Sequence, residues 1–88
     1  MLFPLGTVVA TPAALAHLEA NQVTAISLLQ RHGNGDFGHL VPEDVRTNAH
    51  AIFHGLRVLS AYRVGDVKLY VITEADRSAT TILLASEY

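Results

Sequence analysis

The chain has 88 residues, of which 50% are hydrophobic and 16% are charged, and its formal net charge is −2 at pH 7. This length predicts one domain over residues 1–88. The high hydrophobic fraction excludes a disordered chain, and the slightly negative net charge excludes a polycationic surface for sequence-independent DNA binding. The absence of cysteine excludes disulfides, thiolate catalysis and cysteine-based zinc sites. Because no apolar run approaches about 18 residues and no basic region precedes Leu2, we expect a cytoplasmic protein without a membrane span or signal peptide.

The first third of the chain predicts a short strand and two short helices. The strand covers Thr7–Ala10, and Pro4 before it favours an edge position in a sheet. Thr11 followed by Pro12 is typical of a helix start, and this helix should end near residue 21. Residue 24, another threonine, predicts a second cap, with a helix that continues to residue 31.

A glycine-rich loop and a third helix follow. Residues 32–39, with the sequence His-Gly-Asn-Gly-Asp-Phe-Gly-His, predict a loop whose backbone adopts conformations that favour glycine. Pro42 predicts the start of a helix that runs to about His54, and Gly55 predicts its end. The apolar residues of this helix recur at helical spacing, so we expect them to face the core. They are Val45, Ala49, Ile52 and Phe53.

The last third predicts a three-stranded antiparallel meander. Two strand-like runs, Arg57–Val64 and Val67–Thr73, flank Gly65-Asp66, which is a strong signal for a two-residue hairpin turn. This turn sets Val64 opposite Val67, and the alternation of side chains then defines two faces. The expected core face carries Val58, Ser60, Tyr62, Val64, Val67, Leu69, Val71 and Thr73. The opposite face carries Arg57, Leu59, Ala61, Arg63, Lys68, Tyr70, Ile72 and Glu74. The predicted fold is therefore α+β, with the helices packed on one face of the sheet.

The opposite face is the first candidate binding surface, because most of the basic residues of the chain should gather there around an aromatic ring. They are Arg57, Arg63 and Lys68 around Tyr70, with Arg77 from the next turn. A small sheet with helices on one side and a basic, aromatic surface on the other is the general plan of RelE-like ribonuclease toxins. The alternative is that Arg57 pairs with Glu74 across the strands, and that the other cations are solubilising charges beside a turn.

Two loops supply the remaining candidate residues. Asp76 lies in the charged segment 74–78, which is either a recognition loop or a routine turn in which the carboxylate accepts backbone hydrogen bonds. His32 and Asp36 in the glycine-rich loop suit acid–base chemistry, with the alternative that Asp36 makes a local turn bond and the histidine is solvated. Phe37 is expected to anchor the loop onto the body, or to stack on a ligand.

A metal site is not predicted. His50 and His54 lie one helical turn apart, the spacing that places two imidazoles on one face. No acidic third ligand stands at a corresponding spacing, so we expect no metal and no cofactor.

Several short motifs are spread along the chain, at residues 2–6, 8–12, 31–32, 35–38, 59–62, 71–78, 81, 83–84 and 87–88. Together they resemble a family of small proteins carried on plasmids and integrative elements of proteobacteria. Members are usually called plasmid-related proteins, and many are labelled type I restriction endonuclease subunit M. The glycine fingerprint of a cofactor-binding α/β domain is not present, so the resemblance implies a genetic setting and not a methylation activity. The family loop commonly reads Gly-Asp-Trp-Gly, and Phe37 stands here in place of the tryptophan. The likeness covers almost the whole chain.

The sequence therefore predicts a non-enzymatic accessory protein of a mobile genetic element, which acts by binding a protein partner such as a host defence or restriction component. The expected contact is the apolar centre of the free sheet face, and self-association into a homodimer is its simplest form. The alternative is a RelE-like ribonuclease that uses the basic face, and only this alternative makes RNA a partner. An experiment distinguishes these two hypotheses: if the protein is a ribonuclease, replacement of the basic residues by alanine should remove an RNA-cleaving activity.

Overall fold

The computed structural model, which describes residues 1–88, contains three α-helices and one four-stranded mixed sheet. This arrangement confirms the predicted α+β class. None of the helices combines the length and the apolarity that a membrane crossing needs. The strands are β1 (Thr7–Ala10), β2 (Val58–Val64), β3 (Val67–Thr73) and β4 (Ala79–Leu84), and the helices are α1 (Pro12–Ala20), α2 (Ala25–Gly33) and α3 (Pro42–His54). A 3₁₀ turn, Ala85–Glu87, follows β4.

The sheet has the strand order β1-β4-β3-β2, so the predicted meander forms three neighbouring strands. β1 lies at one edge, as Pro4 indicated, and pairs parallel with β4. The two-residue turn is confirmed, because Val64 pairs with Val67 and Val58 pairs with Thr73. Gly65 has a φ of 63°, a left-handed conformation that this turn type requires and that glycine adopts without steric cost.

The core lies between the predicted inner face of the sheet and the first two helices. Of the expected inward residues on β2 and β3, all are buried except Val67, which is half-buried. Thr11 and Thr24 cap α1 and α2 by accepting backbone N–H bonds, so both helices begin where the sequence predicts. The residues that α1 and α2 contribute to this core are Ala14, Leu18, Leu28 and Leu29. Each large apolar side chain buried here stabilises the fold by roughly 1.5–3 kcal/mol.

The predicted inward stripe of α3 is wrong at Val45, Ala49 and Phe53, which are exposed. It holds in part at Ile52, which is half-buried and packs against a core cluster that includes Phe3 and Val58. The residues of α3 that are buried are Asn48 and Ala51, whereas Phe53 is 90% exposed.

Asn48 faces inward because its side-chain amide pairs with the edge of β2. Its Oδ1 accepts the Leu59 N–H at 3.1 Å, and its Nδ2 donates to the Leu59 carbonyl at 2.5 Å. These bonds satisfy backbone groups that a leucine at position 48 would leave unpaired.

The glycine-rich loop makes backbone hydrogen bonds to the next part of the same edge of β2. The Ala61 N–H donates to the Phe37 carbonyl at 3.0 Å, and the His39 N–H donates to the Ala61 carbonyl at 2.6 Å. Between them, Gly38 has a φ of 73°, and a Cβ there would lie 2.1 Å from the Ala61 carbonyl oxygen. The loop therefore requires glycine at this point for a close backbone approach. Together with Asn48, it covers the outer edge of β2.

Candidate functional site

The free sheet face carries three of the predicted basic residues, but its apolar centre is partly covered. Arg57, Arg63 and Lys68 are exposed, and Arg63 faces Lys68 across the strands. Tyr88 folds back over the face, with its ring edge-on to Tyr70 at a centroid distance of 5.6 Å. The Arg57 guanidinium lies 5.6 Å from the centroid of the Tyr88 ring, within the range of a cation–π contact.

Tyr88 was not among the predicted site residues. A single aromatic residue after the polar Ser86-Glu87 pair carries no sequence signal for packing on a sheet. Ile72, which was expected at the centre of a free face, is only 5% exposed. The apolar centre of this face is therefore smaller than the sequence predicted.

Arg77 does not belong to the free sheet face. Its guanidinium donates to the carbonyls of Leu56 at 2.6 Å and Ala51 at 3.0 Å, at the end of α3. It also lies 5.5 Å from the centroid of the buried Phe3 ring. Arg77 thus joins the β3–β4 turn to the end of α3, which separates it from the other three cations.

Asp76 has the local role that a turn predicts. Its Oδ1 accepts the Ser78 N–H at 3.0 Å. Hydrogen bonds from Ser78 hold the pKa of this carboxyl below its usual value. The segment 74–78 is therefore a hydrogen-bonded turn, as the second sequence interpretation expected.

Asp36 also makes local contacts. Its carboxylate forms an ion pair with Arg31 at 2.7 Å and accepts the Gly38 N–H at 3.2 Å. The hydrogen bond from Arg31 lowers the pKa of Asp36. The Tyr62 hydroxyl donates to the Asp36 carbonyl at 2.6 Å, and burial raises the pKa of Tyr62 to about 12. Phe37 is buried, as expected of a packing anchor.

His32 is neither solvated nor in the loop, since α2 extends through Gly33 and the imidazole is fully buried. Its Nδ1 lies 2.5 Å from the Ser60 hydroxyl, and its Nε2 lies 2.9 Å from the Thr73 hydroxyl. The Thr73 hydroxyl is in turn 2.7 Å from that of Thr80, which donates to the Leu5 carbonyl. Burial lowers the pKa of His32 to about 4.

The Leu5 carbonyl sets the direction of this chain of hydrogen bonds. A carbonyl only accepts, so the Thr80 proton points to it, and the Thr80 oxygen accepts from Thr73. Thr73 then accepts from Nε2–H of His32, which leaves Nδ1 to accept from Ser60. The network satisfies every member and is closed to solvent, so His32 acts in packing and not in acid–base chemistry.

His50 and His54 form a stacked pair with ring centroids 4.1 Å apart. No group of three His, Asp or Glu side chains is placed to hold a metal ion. The pair lies on the side of α3 that faces away from the body.

An apolar surface lies along α3, where the sequence predicted residues that face the core. The α3 patch, as we call it, consists of Leu2, Val41, Val45, Ala49, Ile52 and Phe53. Val45, Ala49 and Phe53 succeed one another at one-turn intervals, so they form one stripe. A hollow of about 500 Å³ opens at its C-terminal half, lined by Leu2, Ala49, Ile52 and Phe53.

The far wall of this hollow is held in place by the N-terminal segment. The Leu2 N–H donates to the Gly33 carbonyl at 2.7 Å, and the neighbouring Phe3 is buried. Leu2 itself is 58% exposed, so its side chain faces α3 across open space. The hollow is therefore a groove between two anchored elements.

Comparison with known proteins adds no relative. No family model, no curated protein and no solved structure matches this chain.

Proposed function

We propose that the chain is a non-enzymatic accessory protein of a mobile genetic element, which acts in the cytoplasm by binding a protein partner through the α3 patch. A component of a host defence or restriction system is the partner favoured by the resemblance to proteins carried on plasmids and integrative elements. The observation that carries the proposal is the outward position of an apolar helix stripe, with Phe53 90% exposed beside an apolar groove.

Exposed apolar residues are informative only when they are contiguous. Single ones occur on every protein surface, as Ile26 does on α2. In the α3 patch, by contrast, Val45, Ala49 and Phe53 follow one helix stripe. Four residues of the patch line one hollow, and they are Leu2, Ala49, Ile52 and Phe53. Such patches are typical of surfaces that bury themselves against another protein, and a helix stripe beside a groove suits a partner helix.

The free sheet face is a less favourable contact for this function. Tyr88 already packs edge-on against Tyr70 and contacts the Arg57 guanidinium, and Ile72 on the same face is buried. A partner would gain less apolar burial there than on the α3 patch, and it would have to desolvate Arg57, Arg63 and Lys68.

Site-specific photocrosslinking in living cells tests the proposal. A benzophenone amino acid replaces Phe53, and in the matched control it replaces Ile26, which is 66% exposed on α2. We expect discrete adducts of defined mass from position 53 and none from position 26. The absence of adducts at 53, or the same adducts at both positions, would contradict protein binding through this patch.

The cluster of Arg57, Tyr88 and Tyr70 carries a second candidate function, RNA cleavage by a RelE-like mechanism. Aromatic rings that stack on bases and cations that stabilise a phosphodiester are the groups such a surface uses. The test compares RNA cleavage by the parent chain and by a triple variant, Arg57→Ala, Arg63→Ala and Lys68→Ala, which leaves Arg77 intact. Cleavage that the triple variant loses supports the ribonuclease, and a parent chain without cleavage overturns it.

A further inference from the structure

We propose that the outer edge of β1 binds an extended segment of a partner protein, which adds to the four-stranded sheet as a further strand. The β1 edge, as we call it, consists of the outward peptide groups of Val8 and Ala10 and the side chains beside them. It lies at the opposite end of the sheet from β2, the strand to which Asn48 of α3 is bonded. This inference therefore goes beyond the proposed function and does not depend on the α3 patch.

The hydrogen bonds from β1 to β4 decide which peptide groups of β1 are free. The N–H groups of Thr7 and Thr11 donate to carbonyls in and just before β4, at 2.9 and 3.0 Å. Peptide groups alternate in direction along a strand, so those of Val8 and Ala10 point away from β4. No turn or loop of the chain forms a backbone hydrogen bond with them. They form a row of donors and acceptors that a further strand can pair with.

The side chains of β1 leave this edge open as well. Val8 is 44% exposed and Val9 is 46% exposed, and as neighbours on a strand they lie on opposite faces of the sheet. Charged residues, prolines and covering loops are the usual protection of an edge strand. None of the four residues of β1 is charged or a proline, and the first three are exposed.

The other edge of the sheet has the protection that β1 lacks. The outward peptide groups of Leu59 and Ala61 on β2 are bonded to Asn48 and to the glycine-rich loop. The next outward position along β2 is Arg63, an exposed charged residue of the kind that opposes strand addition. The sheet is therefore closed at one edge and open at the other, which directs strand addition to β1.

Both ends of β1 are fixed, so the edge is preformed. Just before the strand, the Leu5 carbonyl accepts the Thr80 hydroxyl at 2.7 Å. Just after it, Thr11 donates its N–H to β4 and caps α1 with its side chain. A partner segment meets groups that are already ordered, so little conformational freedom is lost on this side of the contact.

The chemistry of the edge selects an extended peptide as its occupant. Free N–H and C=O groups that recur at every second residue match the backbone of another strand, whereas a helix has its own groups already paired. A strand of four residues spans about 13 Å, so two folded copies that met through it alone would bury much less than the roughly 800 Å² per partner of a standard interface. An extended segment of a few residues fits this length.

The side chains of that segment can also be described. On one face they lie beside Val8 and on the other beside Val9, so β-branched residues suit both alternating sets of positions. We expect an uncharged segment rich in valine, isoleucine and threonine. Because the edge is short, the expected dissociation constant is about 0.1–1 mM, the range of a weak and reversible contact.

NMR spectroscopy of the full chain, labelled with ¹⁵N, tests the inference. The probe is a seven-residue peptide in which threonine and valine alternate between two terminal lysines. At millimolar peptide we expect the amide signals of Val8 and Ala10 to shift and their hydrogen exchange to slow at least about threefold, whereas exchange at Val9, whose N–H faces β4, stays the same. The control is the same peptide methylated at every peptide nitrogen, which cannot donate hydrogen bonds and should have no effect.

Two variants at one position separate backbone pairing from side-chain contact. Val8→Pro removes an outward N–H and no bond to β4, and proline is tolerated on an edge strand. It should raise the dissociation constant of the peptide at least about tenfold, whereas Val8→Thr, which keeps the N–H and a β-branched side chain, should change it by less than about twofold. Circular dichroism verifies that both variants are folded.

Several results would overturn strand addition at β1. They are unchanged Val8 and Ala10 signals with the peptide, equal binding of the methylated peptide, and a folded Val8→Pro variant that binds like the parent. Protection of Val8 and Ala10 that rises with protein concentration and needs no peptide would assign the edge to a second copy and also overturn the inference. The proposed function is tested separately, since adducts from position 53 do not involve β1.

Discussion

His32 shows how one residue type can mislead a functional interpretation of sequence. Beside Gly33 and near Asp36, it suggested acid–base chemistry, yet its ring is enclosed by Phe3 and Phe37, with hydroxyl groups at both nitrogens. A buried imidazole in this position is held neutral, because burial opposes its charged form. Its function in the fold is therefore to satisfy polar groups of the sheet.

The stability of the protein should fall on mild acidification because of His32. Its pKa is about 4 in the folded chain and about 6.5 when unfolded, so the unfolded state binds the proton first. The stabilisation is present above pH 6.5 and is lost as the pH falls towards 4. Between pH 7 and pH 5 we expect the free energy of unfolding to drop by about 2 kcal/mol, measured by urea denaturation.

The matched control is His32→Gln, which keeps an amide able to bond to hydroxyl groups but does not titrate. Its unfolding free energy should change much less between pH 7 and pH 5, although its value at pH 7 will be lower. Equal pH dependence in the parent and in this variant would assign the effect to other groups and contradict the neutral His32.

Among the elements, α3 departs most from its expected position, and the edge of β2 explains why. β2 is an edge strand, and its outward backbone groups at Leu59 and Ala61 need partners. The Asn48 amide supplies one pair of bonds and the glycine-rich loop supplies the other. Once Asn48 faces β2, the helix geometry turns Phe53 and Ala49 towards solvent.

Asn48→Ala should lower the free energy of unfolding by about 2 kcal/mol, because the buried Leu59 N–H and carbonyl lose their partners. His50→Ala, an exposed change on the same helix, should alter it by less than about 0.5 kcal/mol. Chemical denaturation of both variants measures the difference. Asn48→Leu is the more stringent test. If leucine at position 48 stabilised the protein, the hydrogen bonds between the Asn48 amide and the Leu59 backbone would not be what orients α3.

At the scale of the whole molecule, Arg77 connects parts of the chain that are distant in sequence. It bonds to Ala51 and Leu56 at the end of α3, lies over Phe3, and occupies the turn before β4. Its φ of 62° is unfavourable for a residue with a Cβ, so backbone strain is accepted at this position for these contacts. The result is a link between the N-terminal segment, the wall of the groove at α3, and the sheet.

Exchange of Arg77 for glycine separates the backbone strain at this position from the hydrogen bonds of the guanidinium. Glycine relieves the backbone strain, worth about 1 kcal/mol, but removes all the guanidinium bonds. We expect Arg77→Gly to destabilise the protein by about 1–2 kcal/mol in a thermal or chemical melt, because hydrogen bonds from a charged donor outweigh the strain. Gln22→Gly is the control, since Gln22 has a φ of 56° and is exposed, and this change should be neutral or stabilising. Stabilisation by Arg77→Gly would contradict the link.

The local features of this protein were determined by its sequence. The Gly65-Asp66 turn set the register of β2 against β3, and period-two alternation then chose the inward face. Thr11, Thr24 and Gly55 marked helix ends correctly, because caps depend on residues within a turn of the boundary.

Only the tertiary structure decided which side of α3 meets the body, where Arg77 bonds, and how His32 is enclosed. Each depends on a partner far along the chain: the β2 edge for Asn48, the end of α3 for Arg77, and strands β2 and β3 for His32. Helical periodicity defines an apolar stripe but carries no information on which surface it will meet. The candidate binding surface is therefore a consequence of long-range hydrogen bonding, which left the apolar stripe of α3 exposed.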